Sequence, residues 1–128
     1  MTKPTILVVD DEPLMTSMVS VVGELGGFDV IETNSAVEFQ NAWQDHSPTV
    51  VIMDIIMPDM DGVELLKWLS EHKYLAPIIL MSGYDKNYME MASTVGTEKG
   101  NTIIGTLIKP FQIIELETLL QQAVSTCQ

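Results

Sequence analysis

Val50-Val51-Ile52-Met53-Asp54 decides the reading of this chain. Four apolar residues in succession leave no polar face, so the run reads as a short strand buried on both sides, as in a parallel sheet. It ends in a carboxylate. Ile6-Leu7-Val8-Val9 repeats the pattern upstream and runs into Asp10-Asp11. Pro77 to Met81 and Ile103 to Ile108 repeat it downstream, ending at Ser82-Gly83 and Lys109-Pro110. Phe28 to Glu32 is more polar and belongs at or near a sheet edge.

Segments of helical period fill the gaps. Leu14, Met18, Val21, Val22 and Leu25 recur at helical spacing between Pro13, suited to a first turn, and the stop Gly26-Gly27. Ala36 to Trp43 reads as a helix with Val37, Phe39 and Trp43 as apolar contacts, broken by Ser47-Pro48. Met57 to Gly62 is a loop into a helix whose inner face carries Val63, Leu66 and Leu69, with Asp61 as its cap. Asp85 is placed to cap a helix bearing Tyr88, Met91, Ala92 and Val95. Ile113, Leu116, Leu120 and Ala123 mark the last helix. Five β-α units in alternation predict the α/β class: a three-layer α/β/α sandwich around one parallel sheet. Right-handed crossovers restrict the topology, and the flavodoxin-like order 2-1-3-4-5 leads. Residues 1–128 read as a single domain.

Composition sets bounds. Eighteen acids against six bases give a formal charge of −12. Such a surface repels nucleic-acid phosphates and favours a hard cation. No run approaches the ~18 apolar residues of a membrane span, and no secretory leader is evident. The single cysteine, Cys127, makes no internal disulfide and fits a reducing cytoplasm. His46 and His72 fall near helix ends as surface residues, and Trp43 and Trp68 read as packing groups.

In open α/β sheets the ligand site lies beyond the carboxyl ends of the strands, at the switch point between strands 1 and 3 in this order. Asp10, Asp11 and Asp54 therefore converge on one crevice, with Ser82 and Lys109 at the same sheet edge. Three carboxylates within a few ångström repel, and one pKa rises unless the charge is compensated. Mg2+ supplies that compensation, and Lys109 adds a fixed positive charge. The set has the parts for phosphoryl transfer to a carboxylate oxygen. Any one of these residues alone reads as a turn or cap residue; together, on four strand ends, they read as a site.

At this point the chain resembles a known family. Val8-Val9-Asp10-Asp11-Glu12-Pro13, Met53-Asp54-Ile55-Ile56-Met57-Pro58-Asp59-Met60-Asp61-Gly62, Met81-Ser82-Gly83 and Leu107-Ile108-Lys109-Pro110-Phe111 are similar to the response-regulator receiver (CheY-like) domain of two-component signalling. The likeness runs from about Pro4 to Val124. It implies Asp54 as phosphoacceptor, charged by a histidine kinase or a histidine phosphotransfer protein, in a cytoplasmic, non-enzymatic switch that controls an output domain or partner. It implies Mg2+ on Asp11, Asp54 and the Ile56 carbonyl, with Asp10 acting through a metal-bound water. Lys109 would pair with Asp54 and then with the phosphoryl group, and Ser82 would move toward a phosphoryl oxygen. The resemblance is also compatible with a homodimer formed on phosphorylation.

Two departures stand out. Leu107 occupies a position where the family commonly carries Tyr or Phe. The stretch from Ser82 to Lys109 is longer than usual by about one helical turn, around Ser93 to Asn101. That segment, with Gly105-Thr106-Leu107, is similar to receivers fused to EAL cyclic-di-GMP phosphodiesterase domains, although no such catalytic domain lies within these residues. Competing readings are an aspartyl-nucleophile phosphohydrolase, which lacks its D-x-D here, an FMN-binding flavodoxin, for which Asp10-Asp11-Glu12-Pro13 is the wrong charge, and a receiver-like module that is never phosphorylated.

Overall fold

The computed structural model describes residues 3–83 and 86–127. Its elements are β1 (Thr5–Val9), α1 (Pro13–Leu25), β2 (Asp29–Thr33), α2 (Ala36–Asp45), β3 (Val50–Asp54), α3 (Gly62–Glu71), β4 (Pro77–Ser82), α4 (Lys86–Glu98), β5 (Thr102–Ile108) and α5 (Ile113–Cys127). The strands form one parallel sheet in the order β2-β1-β3-β4-β5, as expected from the sequence. The polar strand β2 is an edge. The expected cap at Asp85 lies outside the described residues, as does the Cys127 side chain.

The two-residue period of a strand explains how uninterrupted apolar runs build two cores. Leu7 and Val9, Val51 and Met53, Ile78 and Leu80 point to one face, where they pack with Phe39, Leu65, Leu66 and Leu69. Ile6 and Val8, Val50 and Ile52, Ile79 and Met81 point to the other, against Val19, Leu116 and Leu120. All twelve strand side chains are fully buried, each worth about 1.5–3 kcal/mol over exposure. On β5 the register slips, with Ile78 opposite Ile103 but Ile79 opposite Gly105. The extra residue changes parity, so Ile104 and Leu107 both join the α1/α5 side.

Helix α1 departs from its expected use. Leu14, Val21 and Leu25 are exposed, and the face turned to the sheet carries Thr16, Val19, Ser20, Val22 and Gly23. The cause is close approach: a Cβ at Gly23 would lie 2.8 Å from both Ile6 and Val30 side chains. A helix that near the sheet has room for small residues, and its larger apolar groups turn outward. Val37, expected as a contact of α2, is likewise exposed, whereas Phe39 is buried. In α4 the buried residues are Met89, Ala92 and Gly96, and Met91 is exposed.

Loop capping fixes the upper rim. Ser35 accepts from Glu38 N at 3.1 Å, and Glu38 returns to accept from Asn34 N at 2.9 Å. Asp59 adds a cap from outside the helix, accepting from Ala36 N at 2.9 Å and Val37 N at 3.4 Å. Asp61 caps α3 as expected, accepting from Val63 N at 2.7 Å. Among the described residues, no helix is long and apolar enough to cross a membrane.

Candidate functional site

The carboxyl ends of β1, β3 and β5 meet above the sheet. β1 delivers Asp10 and, one residue on, Asp11; β3 ends in Asp54; β5 runs into Lys109. A carboxylate oxygen from each of Asp10, Asp11 and Asp54 can be chosen so that all lie within 4.8 Å of one another. Asp10 is fully buried and Asp54 is 5% exposed, whereas Asp11 is exposed. The donors are all oxygen, which fits a hard divalent ion.

Lys109 counters this charge directly. Its Nζ lies 2.5 Å from Asp10 Oδ2, 2.8 Å from Asp54 Oδ2 and 3.6 Å from Glu12 Oε1. Burial alone would depress the Lys109 ammonium, but its hydrogen bonds to Asp10 and Asp54 outweigh that and hold its pKa above the ordinary lysine value. Burial pushes the Asp10 carboxyl up, with the Lys109 bond and the Glu12 amide pulling the other way. Asp10 Oδ1 accepts from Glu12 N at 2.9 Å, so both its oxygens are occupied.

Asp54 is held at both oxygens as well. Oδ1 accepts from Ile56 N at 2.9 Å, and Oδ2 accepts from Lys109. Ile56 is then paired with Asp61 in an isolated antiparallel bridge, and Gly62 N donates to Ile55 O at 2.9 Å. A Cβ at Gly62 would fall 2.5 Å from Ile55 Cα, so glycine is what lets this loop close. Ser82 is fully buried at the end of β4, and its carbonyl accepts from Lys109 N at 2.8 Å. The Lys109–Pro110 peptide is cis. A cleft of about 670 Å³ opens over these groups, lined by Asp11, Glu12, Asp54, Ile56, Gly83 and Lys109 among others.

Some site neighbours were not singled out from the sequence. Asn34 Nδ2 donates to Asp10 O at 2.9 Å and Thr33 Oγ1 to Val8 O at 2.7 Å, bracing the end of β1 from the edge strand. Strand-end logic applied to β2 would have found both. Tyr88 donates to Asp61 Oδ1 at 2.5 Å across 27 positions, a pairing without a local sequence signal. Burial first, and then the Asp61 bond and the charges of Asp61 and Glu64, push the Tyr88 hydroxyl up to about 12.

Comparison with known proteins gives the same family. The family model described as the response regulator receiver domain matches residues 6–121. The regulatory protein AtoC of Escherichia coli is 35% identical over 119 residues, which is 93% of this chain and 25% of AtoC. The chemotaxis protein CheY of Bacillus subtilis is 32% identical over 108 residues, covering 84% of this chain and 86% of CheY. The chain thus spans a quarter of AtoC but most of CheY. Among solved structures, CheY4 of Vibrio cholerae superposes with a TM-score of 0.80 at 28% identity, covering 95% of this chain and 99% of that one. A receiver domain from Methanospirillum hungatei reaches 0.86 at 21% identity, covering 98% and 97%, which speaks for the fold. The match of the family model over most of the chain, with the identity to these relatives, places this protein in the response regulator receiver domain family.

Proposed function

We propose that residues 1–128 act as one phosphoacceptor receiver domain and that Asp54 takes the phosphoryl group. The observation that carries this reading is the setting of Asp54. It ends the central strand, is almost buried, and has each oxygen held by a different donor, Ile56 N and Lys109 Nζ. In the transfer, an Asp54 oxygen forms a bond to phosphorus while the bond from phosphorus to the donor breaks. The donor is a phosphohistidine of a kinase or phosphotransfer protein, whose imidazole leaves with the bonding pair. Lys109 moves its charge from the carboxylate to the phosphoryl oxygens, and the Ser82 hydroxyl, at the end of the next strand, turns toward one of them.

The donor set fits Mg2+, held by Asp11, Asp54 and the Ile56 carbonyl with Asp10 behind them. When bound, the ion neutralises charge developing on the phosphoryl oxygens. Asp10, already on Lys109 and Glu12 N, orients the lysine. The reading includes a cytoplasmic setting, a signalling role without turnover, and an output domain or partner that responds to the modified state.

Incubation with acetyl phosphate and Mg2+, followed by intact mass measurement, tests the assignment. Wild type gains one phosphoryl group and Asp54→Asn gains none. Equal labelling of the two would remove Asp54 from this role, and sustained release of phosphate from phosphomonoesters would favour a hydrolase.

A further inference from the structure

Position 107 leaves a gap in how Asp54 would reach the rest of the molecule. Leu107 has no hydroxyl and is already 2% exposed within the α1/α5 core, so it has no inward turn left to make. A different path is built into the loop between β3 and α3. It starts at Asp54 Oδ1, which accepts from Ile56 N. Ile56 stands opposite Asp61 in the antiparallel bridge, where the flanking bond from Gly62 N to Ile55 O, and not a bond between the two residues, holds them together. Asp61 Oδ1 accepts from both Val63 N, at the start of α3, and the Tyr88 hydroxyl, in the first turn of α4.

The loop is stiff where it must carry a displacement. Gly62 N is bonded to Ile55 O, and the contact at Gly62 leaves no space for even a methyl group. Asp59 ties the outer side of the loop to α2. Movement at Ile56 is therefore passed on and not absorbed. Tyr88 is the yielding end: its ring is only partly buried and borders a cleft of about 590 Å³ shared with Ile56, Pro58, Asp61 and Glu64.

We propose that Tyr88, through Asp61, positions the Ile56 carbonyl and is the strap by which α4 registers the state of Asp54. The inference rests on the reading of Asp54 as phosphoacceptor and of the Ile56 carbonyl as a cation ligand. Bond formation from Asp54 to phosphorus removes the full carboxylate charge that Ile56 N–H now meets, and charge-assisted bonds are the strong ones. Ile56 then shifts, Asp61 follows through the bridge, and the Tyr88 bond is strained or released. A ligand-state change moves α4 only through a contact that differs between the states, and this bond is such a contact.

The test uses the whole chain as wild type, Tyr88→Phe and Asp61→Asn. Mg2+ affinity is measured by titration calorimetry, and amide hydrogen exchange across 86–98 is compared before and after acetyl phosphate treatment. Tyr88→Phe is expected to take the label on Asp54, bind Mg2+ about three- to tenfold more weakly, and lose most of the exchange difference in α4. Asp61→Asn, which keeps an acceptor and a helix cap, is expected to retain that difference. A merely static contact would lower Tm and leave the difference between states intact. If either the Mg2+ affinity or the α4 response of Tyr88→Phe equals wild type, the proposal is overturned. Failure of the underlying reading looks different: Asp54→Asn then labels like wild type, which intact mass shows before any exchange is measured.

Discussion

Lys109 Nζ lies 2.8 Å from Asp54 Oδ2, although 55 positions separate the two residues. The same ammonium also meets buried Asp10. Removing it leaves two nearly buried carboxylates without their counter-charge. Lys109→Ala is therefore expected to lose about 3 kcal/mol in metal-free buffer. Mg2+ should return a large part of it, because the cation takes over the same charge. Urea unfolding with and without MgCl2 checks both halves; a variant as stable as wild type without metal would contradict the role given to this ion pair.

Mg2+ should also stabilise the wild type, since Asp10, Asp11 and Asp54 come together only in the folded chain. At one hundred times the dissociation constant the gain is about 2.7 kcal/mol. The midpoint of unfolding should rise with MgCl2, and Asp11→Ala should flatten that dependence. An equal rise in wild type and Asp11→Ala would point to general ionic screening.

Alkaline pH gives a prediction of definite sign. The Tyr88 hydroxyl is raised from 10.0 to about 12 in the folded chain. A group with a raised folded pKa contributes stability that is complete below its unfolded pKa and is lost as pH rises through the folded one. Tyr88 thus stabilises below pH 10.0 and ceases to do so through about 12. Lys109, also raised, acts in the same direction above its ordinary 10.5. Tyrosinate absorbance, followed against pH, should lose one late-ionising equivalent in Tyr88→Phe; an unchanged late phase would contradict the shift.

Two glycine substitutions separate rigid from yielding neighbours. At Gly62 an added Cβ meets Ile55 backbone at 2.5 Å, whereas at Gly105 it meets the Leu119 side chain at 2.4 Å. A side chain can rotate away and a closed loop cannot. Gly62→Ala should cost about 3 kcal/mol and Gly105→Ala about 1 kcal/mol, within the usual range for overpacking. Thermal unfolding of the two variants gives the order, and the reverse order would contradict this account.

The sheet and the grouping of the candidate site residues were legible for a shared reason. A strand buried on both faces must be apolar throughout, so a charged residue that ends it is conspicuous, as Asp54 is after Val50 to Met53. Strand order then brought Asp10, Asp11, Asp54 and Lys109 to one rim. Helix facing was less legible. Leu14, Val21 and Leu25 show helical period but not which side the sheet lies on, and Gly23, the residue that sets the approach of α1, is silent in a hydrophobicity pattern. The β5 register slip is hidden for a similar reason, because Ile103, Ile104 and Leu107 are apolar on either parity. Tyr88 to Asp61 depends on the height of α4 over the loop, which periodicity does not encode.

The two oxygens of Asp54 are not interchangeable. Oδ1 belongs to a backbone amide and Oδ2 to a lysine. A free aspartate spins about its Cβ–Cγ bond and presents either oxygen at random; here that rotor is locked. In the role proposed for it, Asp54 meets each incoming donor with the same face and the same lone pairs. The orientational entropy of the nucleophile has been settled during folding and need not be lost again at each encounter.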